Sequence, residues 1–123
     1  MACILIIDDD DQPRHILQQV LTRAGYEVIE ACDGNEGLQR FRATPADVII
    51  TDILMPEKEG LETIIDLRRE FPRAKIIAMS GGGRAGNLNF LDVASRLGAQ
   101  RTLEKPFDLQ AMLRAVSELL QES

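Results

Sequence analysis

Five short strand-like stretches recur along the chain, most of them rich in apolar residues, each followed by a stretch with helical spacing, and they start roughly 22 to 27 residues apart. They are Cys3 to Ile7, Tyr26 to Ala31, Val48 to Ile50 with Thr51-Asp52 behind it, Ala74 to Met79, and a weaker Gln100 to Leu103. A continuous apolar run with no alternation fits a strand covered on both faces. Between the runs lie apolar stripes at helical spacing: Ile16, Leu17, Val20, Leu21 and Ala24; Gly37, Leu38 and Phe41; Leu61, Ile64, Ile65 and Phe71; Phe90, Leu91, Ala94 and Leu97. After the fifth run come Leu109, Met112, Leu113, Val116, Leu119 and Leu120. Strictly alternating strand and helix admits right-handed crossovers and a parallel sheet with helices on both faces.

The expected fold is therefore α/β: a flavodoxin-like, doubly wound (βα)5 domain whose five-stranded parallel sheet has the order 2-1-3-4-5. With 123 residues, no linker and no low-complexity stretch, residues 1–123 are expected to form one domain. Local signals agree. Asp10 or Asp11 can cap the first helix, with Pro13 in its first turn. Gly25 suits the residue past its end. Asp33-Gly34 marks a turn, Gly60 a loop or first helical turn, and Asp108 a cap for the last helix.

Polar residues with chemistry stand where the apolar runs stop. Asp8 and Asp9 follow the first run, Asp52 ends the third, Ser80 ends the fourth, and Lys105 follows the fifth. In the 2-1-3-4-5 order strands one and three are neighbours at the topological switch point, so Asp8, Asp9 and Asp52 converge in one crevice. Two carboxylates ~4 Å apart repel by about 4 kcal/mol at an effective dielectric of 20. Three together call for a cation, and an all-oxygen ligand set suits Mg²⁺. Lys105 adds a point positive charge suited to a phosphoryl oxygen, and Ser80 adds a hydroxyl. A carboxylate beside such groups can attack a phosphoryl centre to give an acyl phosphate.

The set of Asp8-Asp9 after an apolar strand, Asp52-x-x-Met55-Pro56, Ser80 and Lys105-Pro106-Phe107 resembles the receiver domain of two-component response regulators, over essentially the whole chain. The resemblance implies specific roles. Asp52 accepts a phosphoryl group from a histidine kinase or phosphotransfer protein. Asp9 binds Mg²⁺ directly, Asp8 acts through water, and the backbone carbonyl of Leu54 is a further metal ligand. Ser80 and Lys105 bind phosphoryl oxygens, and the peptide before Pro106 is cis. Partner contacts are implied on the face formed by the fourth helix, fifth strand and fifth helix, to a downstream protein or a second receiver. The domain is implied to be a signalling module and not a metabolic enzyme, with self-catalysed phosphotransfer and slow autodephosphorylation. Leu54 and Gly82, two residues past Asp52 and Ser80, carry no polar side chain to hold an attacking water. Two features depart from the family: the switch aromatic three residues before the lysine is Thr102 here, and the loop after Ser80, with Gly81, Gly82 and Gly83, is longer and richer in glycine than usual.

Two other readings use some of the same residues. Gly81-x-Gly83-x-x-Gly86 matches a dinucleotide fingerprint, but it lies in the last strand–helix unit with no second half to hold the ligand. A phosphatase of the haloacid dehalogenase type would use Asp8 and Asp10, but Gln12 stands where that family has threonine. The formal charge of −6 argues against direct nucleic-acid binding. No stretch has the apolar length of a membrane span, and the N-terminus lacks a signal-peptide pattern, so a cytoplasmic location is expected. Cys3 and Cys32 have no metal-type spacing and are expected to be small buried thiols. His15 is expected on the surface, and Asp47 in a turn.

Overall fold

The structure, a computed structural model, describes residues 1–53, 60–80, 84–85, 88–105 and 108–122. The elements in order are β1 (Cys3–Ile7), α1 (Asp11–Arg23), β2 (Glu27–Ala31), α2 (Gly34–Ala43), β3 (Val48–Asp52) and α3 (Gly60–Glu70). Then follow β4 (Ile76–Ser80), β5 (Arg84–Ala85), β6 (Leu88–Asn89), α4 (Phe90–Leu97), β7 (Arg101–Glu104) and α5 (Leu109–Gln121). The main sheet has the order β2-β1-β3-β4-β7 and every pairing in it is parallel. That is the expected 2-1-3-4-5 arrangement, with β7 as its fifth strand. The antiparallel ribbon of β5 and β6 was not expected; it lies in the segment between β4 and α4.

The unbroken apolar runs have a simple cause. Successive strand residues point to opposite faces, and both faces are covered. Leu5, Ile7, Ile49, Ile76 and Ala78 pack with Leu38 and Phe41 of α2, Ile64 and Leu67 of α3, and Ala94 of α4. Ile4, Ile6, Val48, Ile50, Ile77 and Met79 pack on the other side with Leu17 and Leu21 of α1 and Met112, Val116 and Leu119 of α5. Burying each of the larger of these side chains contributes about 1.5–3 kcal/mol, so the sandwich supplies the main driving force.

Aspartates start three of the helices. Asp10 accepts from the Gln12 N–H, Asp33 from Glu36 and Asp108 from Gln110. Such caps satisfy amide donors that have no partner within the helix. Gly25 follows α1 with φ of +97°, a conformation L side chains rarely adopt. Asp47 does more than turn the chain: its carboxylate accepts the Cys3 N–H at 2.7 Å, anchoring the start of β1.

Some expectations need correction. Cys32 is exposed, because it lies past the end of β2; only Cys3 is buried. Ile16 and Ile65 are exposed although they fall within the apolar stripes. In α1 the inward position is taken instead by Arg14, three residues before Leu17. No helix among the described residues is long and apolar enough to cross a membrane.

Candidate phosphoryl-transfer site

The register brings the strand-end residues together. Ile7 pairs with Thr51, so Asp8 and Asp52 leave adjacent strands one residue beyond that pair. Asp52 pairs with Met79 and Ser80 with Glu104, which puts Ser80 and Lys105 one step further along the neighbouring strands. The Lys105 N–H donates to the Ser80 carbonyl at 2.6 Å, extending the ladder to the site's edge.

Lys105 Nζ lies 3.3 Å from Asp8 Oδ2 and 3.2 Å from Asp52 Oδ2. Asp8 is wholly buried and Asp52 is 6% exposed, whereas Asp9 reaches solvent. Carboxylate oxygens of Asp8, Asp9 and Asp52 all fall within 4.8 Å of one another. Burial pushes the Asp8 carboxyl up to about 6, and the Asp52 charge adds to the rise; the Asp10 N–H and Lys105 oppose it. Burial alone would lower the Lys105 ammonium, but the charges of Asp52 and Asp8 outweigh it and hold the group above its ordinary value. One lysine thus faces more negative charge than it can balance.

Ser80 Oγ is fully buried and has no hydrogen-bond partner among the described residues. A buried hydroxyl left alone costs about 1–3 kcal/mol, so an orphan beside a charged cluster marks a place for another acceptor.

Two further residues hold the cluster's backbone. Gly60, the first residue of α3, is buried against the end of β3, and a Cβ there would meet Ile53 Cα at 2.2 Å and the Asp52 carbonyl at 2.3 Å. Only glycine lets α3 begin directly on the Asp52 main chain. Arg14 donates through Nη1 to the Asp8 carbonyl at 2.8 Å, through Nε to Glu30 at 3.1 Å and through Nη2 to Asp11 at 2.5 Å. Sequence reasoning placed Gly60 only in a loop or first turn and missed Arg14; the signal for Arg14 was a charge at helical spacing from Leu17 and Leu21.

A family model for the response regulator receiver domain matches residues 4–117. The chain belongs to that family. It is 32% identical over 117 residues to the chemotaxis protein CheY of Thermotoga maritima, covering 94% of this chain and 95% of that protein. It is 36% identical to the DNA-binding transcriptional regulator NtrC of Azospirillum brasilense, over 97% of this chain but 24% of that protein. A putative response regulator from Chloroflexus aurantiacus superposes with a TM-score of 0.90 at 30% identity, with 98% of each chain covered. The chain therefore spans nearly all of the first relative and about a quarter of the second. As a receiver domain it is a signalling module of two-component systems, and its acidic pocket of Asp8, Asp9 and Asp52 can bind a metal ion.

Within the receiver frame, Thr102 lies on the exposed side of β7, paired with Ala78. His15 is exposed, with Nδ1 3.4 Å from Glu30 Oε1. The Leu54 carbonyl, Met55-Pro56, Gly81 to Gly83, Gly86 and the Lys105–Pro106 peptide with Phe107 lie outside the described residues.

Proposed function

We propose that Asp52 is the phosphoacceptor of a phosphorylation-controlled receiver domain spanning residues 1–123. The observation that carries this reading is the shared lysine: Lys105 bridges two buried carboxylates beside a buried hydroxyl that has no partner among the described residues. In the reaction an Asp52 oxygen attacks phosphorus, the bond from phosphorus to the donor's leaving atom breaks, and its electron pair stays with the donor. The donor class that fits is a phosphohistidine on a kinase or phosphotransfer protein, whose imidazole leaves as a good neutral base once protonated.

Each residue then has a task. Lys105 turns from the Asp52 carboxylate to the incoming phosphoryl oxygens, keeping its charge matched. Ser80 donates its hydroxyl proton to one of those oxygens. Asp9, exposed at the mouth, and Asp52, with the Leu54 carbonyl, would hold Mg²⁺, and Asp8 would orient its waters. The donor set fits that ion: hard oxygens, clustered within reach, carrying excess negative charge. When bound, Mg²⁺ neutralises charge that develops on the transferring group.

Phosphorylation biases the domain between two conformations, and the surface of α4, β7 and α5 is the proposed readout for a downstream protein or a second receiver. Thr102 has no ring, so the signal passes without an aromatic switch at this position. With Leu54 and Gly82 offering no polar side chain to an attacking water, self-catalysed hydrolysis is slow. We place the protein in the cytoplasm, with neither nucleic acid nor membrane as a direct ligand of this domain.

Incubation with radiolabelled acetyl phosphate tests the assignment. Label should require Mg²⁺, and Asp52→Asn should abolish it. Label retained in that variant, or found on Asp8, would refute the reading and favour a phosphatase-type nucleophile.

A further inference from the structure

Arg14 is nine-tenths buried on the inward stripe of α1, where its neighbours along the helix are Leu17 and Leu21. An apolar residue would serve the core there with no desolvation cost. A guanidinium does not neutralise by losing its proton, so its burial is tolerated only with its donors matched. Each of its three nitrogens donates to an oxygen, from three separate segments. Nη1 donates to the carbonyl of Asp8 just past β1, Nε to Glu30 of β2, and Nη2 to Asp11 in the first turn of α1.

The first of these contacts bears on the site. The Asp8 carbonyl and the Asp9 N–H belong to one planar peptide unit. Fixing that carbonyl fixes the plane in which the chain leaves for Asp9. The other flank of Asp8 is fixed too, because its N–H donates to the Ala31 carbonyl at 3.1 Å. With both peptides held, the two carboxylates are aimed by the backbone and not by loose side chains. A small divalent cation that demands near-octahedral geometry needs such aim.

We infer that Arg14 is a positioning residue for the cation site: its guanidinium fixes the Asp8–Asp9 peptide, and so the metal-facing carboxylates, by tying the Asp8 carbonyl to Glu30 and Asp11. The inference rests on the reading of Asp8, Asp9 and Asp52 as a Mg²⁺ site. It carries a sign that separates it from simpler roles. Arg14 brings a positive charge beside a cation site, so by Coulomb's law alone its removal would tighten Mg²⁺ binding. A role in packing alone would lower stability and leave the affinity of the folded protein unchanged. Positioning requires that affinity fall.

The experiment is a Mg²⁺ titration of wild type, Arg14→Met and Arg14→Lys. It is followed by the amide resonances near Asp9 and Asp52, with folding checked by circular dichroism and urea midpoints measured without metal. Arg14→Met is expected to weaken Mg²⁺ binding about 10-fold or more. Arg14→Lys, which keeps the charge and can reach the carbonyl through a single donor, should recover part of the loss. If Arg14→Met does not fold, Arg14→Lys, which keeps the charge, is expected to bind Mg²⁺ more weakly than wild type. Folded variants with affinity within twofold of wild type, or tighter, overturn the inference while leaving the site reading intact. A wild-type protein that binds no Mg²⁺ overturns the site reading on which it rests.

Discussion

The two edges of the main sheet use similar residues to opposite ends. At the amino edge, every named polar group is matched. Gln100 accepts from the Ile76 N–H at 2.8 Å and donates to the Ala74 carbonyl at 3.1 Å. Arg68 donates to the carbonyls of Pro72 and Gly98 at 2.6 and 2.7 Å. Lys75 donates to the Leu119 carbonyl at 2.6 Å and to that of Glu122, closing the end of α5. At the carboxyl edge, Lys105 is shared between two buried carboxylates, a third stands nearby, and Ser80 Oγ has no partner among the described residues. A lysine at one edge finishes the structure; at the other it leaves charge and a hydroxyl available. Polar groups that satisfy one another stabilise a fold, while groups left short of partners prepare a site for a ligand.

The largest expected effect in stability is at the carboxyl edge. Gly60→Ala drives a Cβ into the Asp52 and Ile53 main chain. It should destabilise by about 1–3 kcal/mol and slow acetyl-phosphate labelling as well, since α3 can yield only by moving Asp52. Urea denaturation and a labelling time course check both. A fall in stability with unchanged labelling would show that the site's backbone is less tightly coupled to α3 than the packing indicates.

Asp8→Asn tests whether charge excess at this edge lowers stability. The carboxyl is more basic folded, at about 6, than an ordinary aspartate. The folded state therefore holds more protons than the unfolded state between about pH 4 and the folded value. Metal-free stability falls as pH rises through that window, and the penalty is complete above it. At pH 7 without Mg²⁺, Asp8→Asn should be more stable than wild type by roughly 2 kcal/mol, with the gain vanishing near pH 4. A variant less stable than wild type at pH 7 would show that the pairing with Lys105 outweighs burial.

The amino edge should respond in the opposite sense. Gln100→Ala leaves the Ile76 N–H and the Ala74 carbonyl without the side chain that bonds both, for a loss of about 1–2 kcal/mol. Its labelling rate should match wild type. A labelling defect would break the division between the two edges. Smallest of all, Arg101→Ala removes ion pairs to Glu118 and Glu122 that are exposed on the surface. Such pairs are worth about 0–1 kcal/mol, and thermal unfolding should barely move.

Much of this protein is readable in one dimension. Four mainly apolar runs, a weaker fifth strand and the stripes between them determine a parallel sheet covered on both faces, because periodicity is a local property. Asp8, Asp9, Asp52, Ser80 and Lys105 stand out because each lies at or just past the end of an apolar run, and a doubly wound sheet gathers those ends at one edge. Strand limits moved by a residue or two, as at Ile76–Ser80 and Arg101–Glu104, because ladder partners decide where a strand starts.

What the chain did not reveal alone depends on contacts between distant segments. Asp8 and Asp9 are adjacent and chemically identical, yet one is sealed and the other reaches solvent. Arg14 was not singled out in the sequence, because its role depends on the Asp8 carbonyl and Glu30 lying within its reach. Gly60 looked like punctuation until the end of β3 came to lie under it. Periodicity and strand ends are set by short-range order along the chain; burial, orphaned groups and close approach of backbones are set by which elements the fold brings together, and only the tertiary structure decides that.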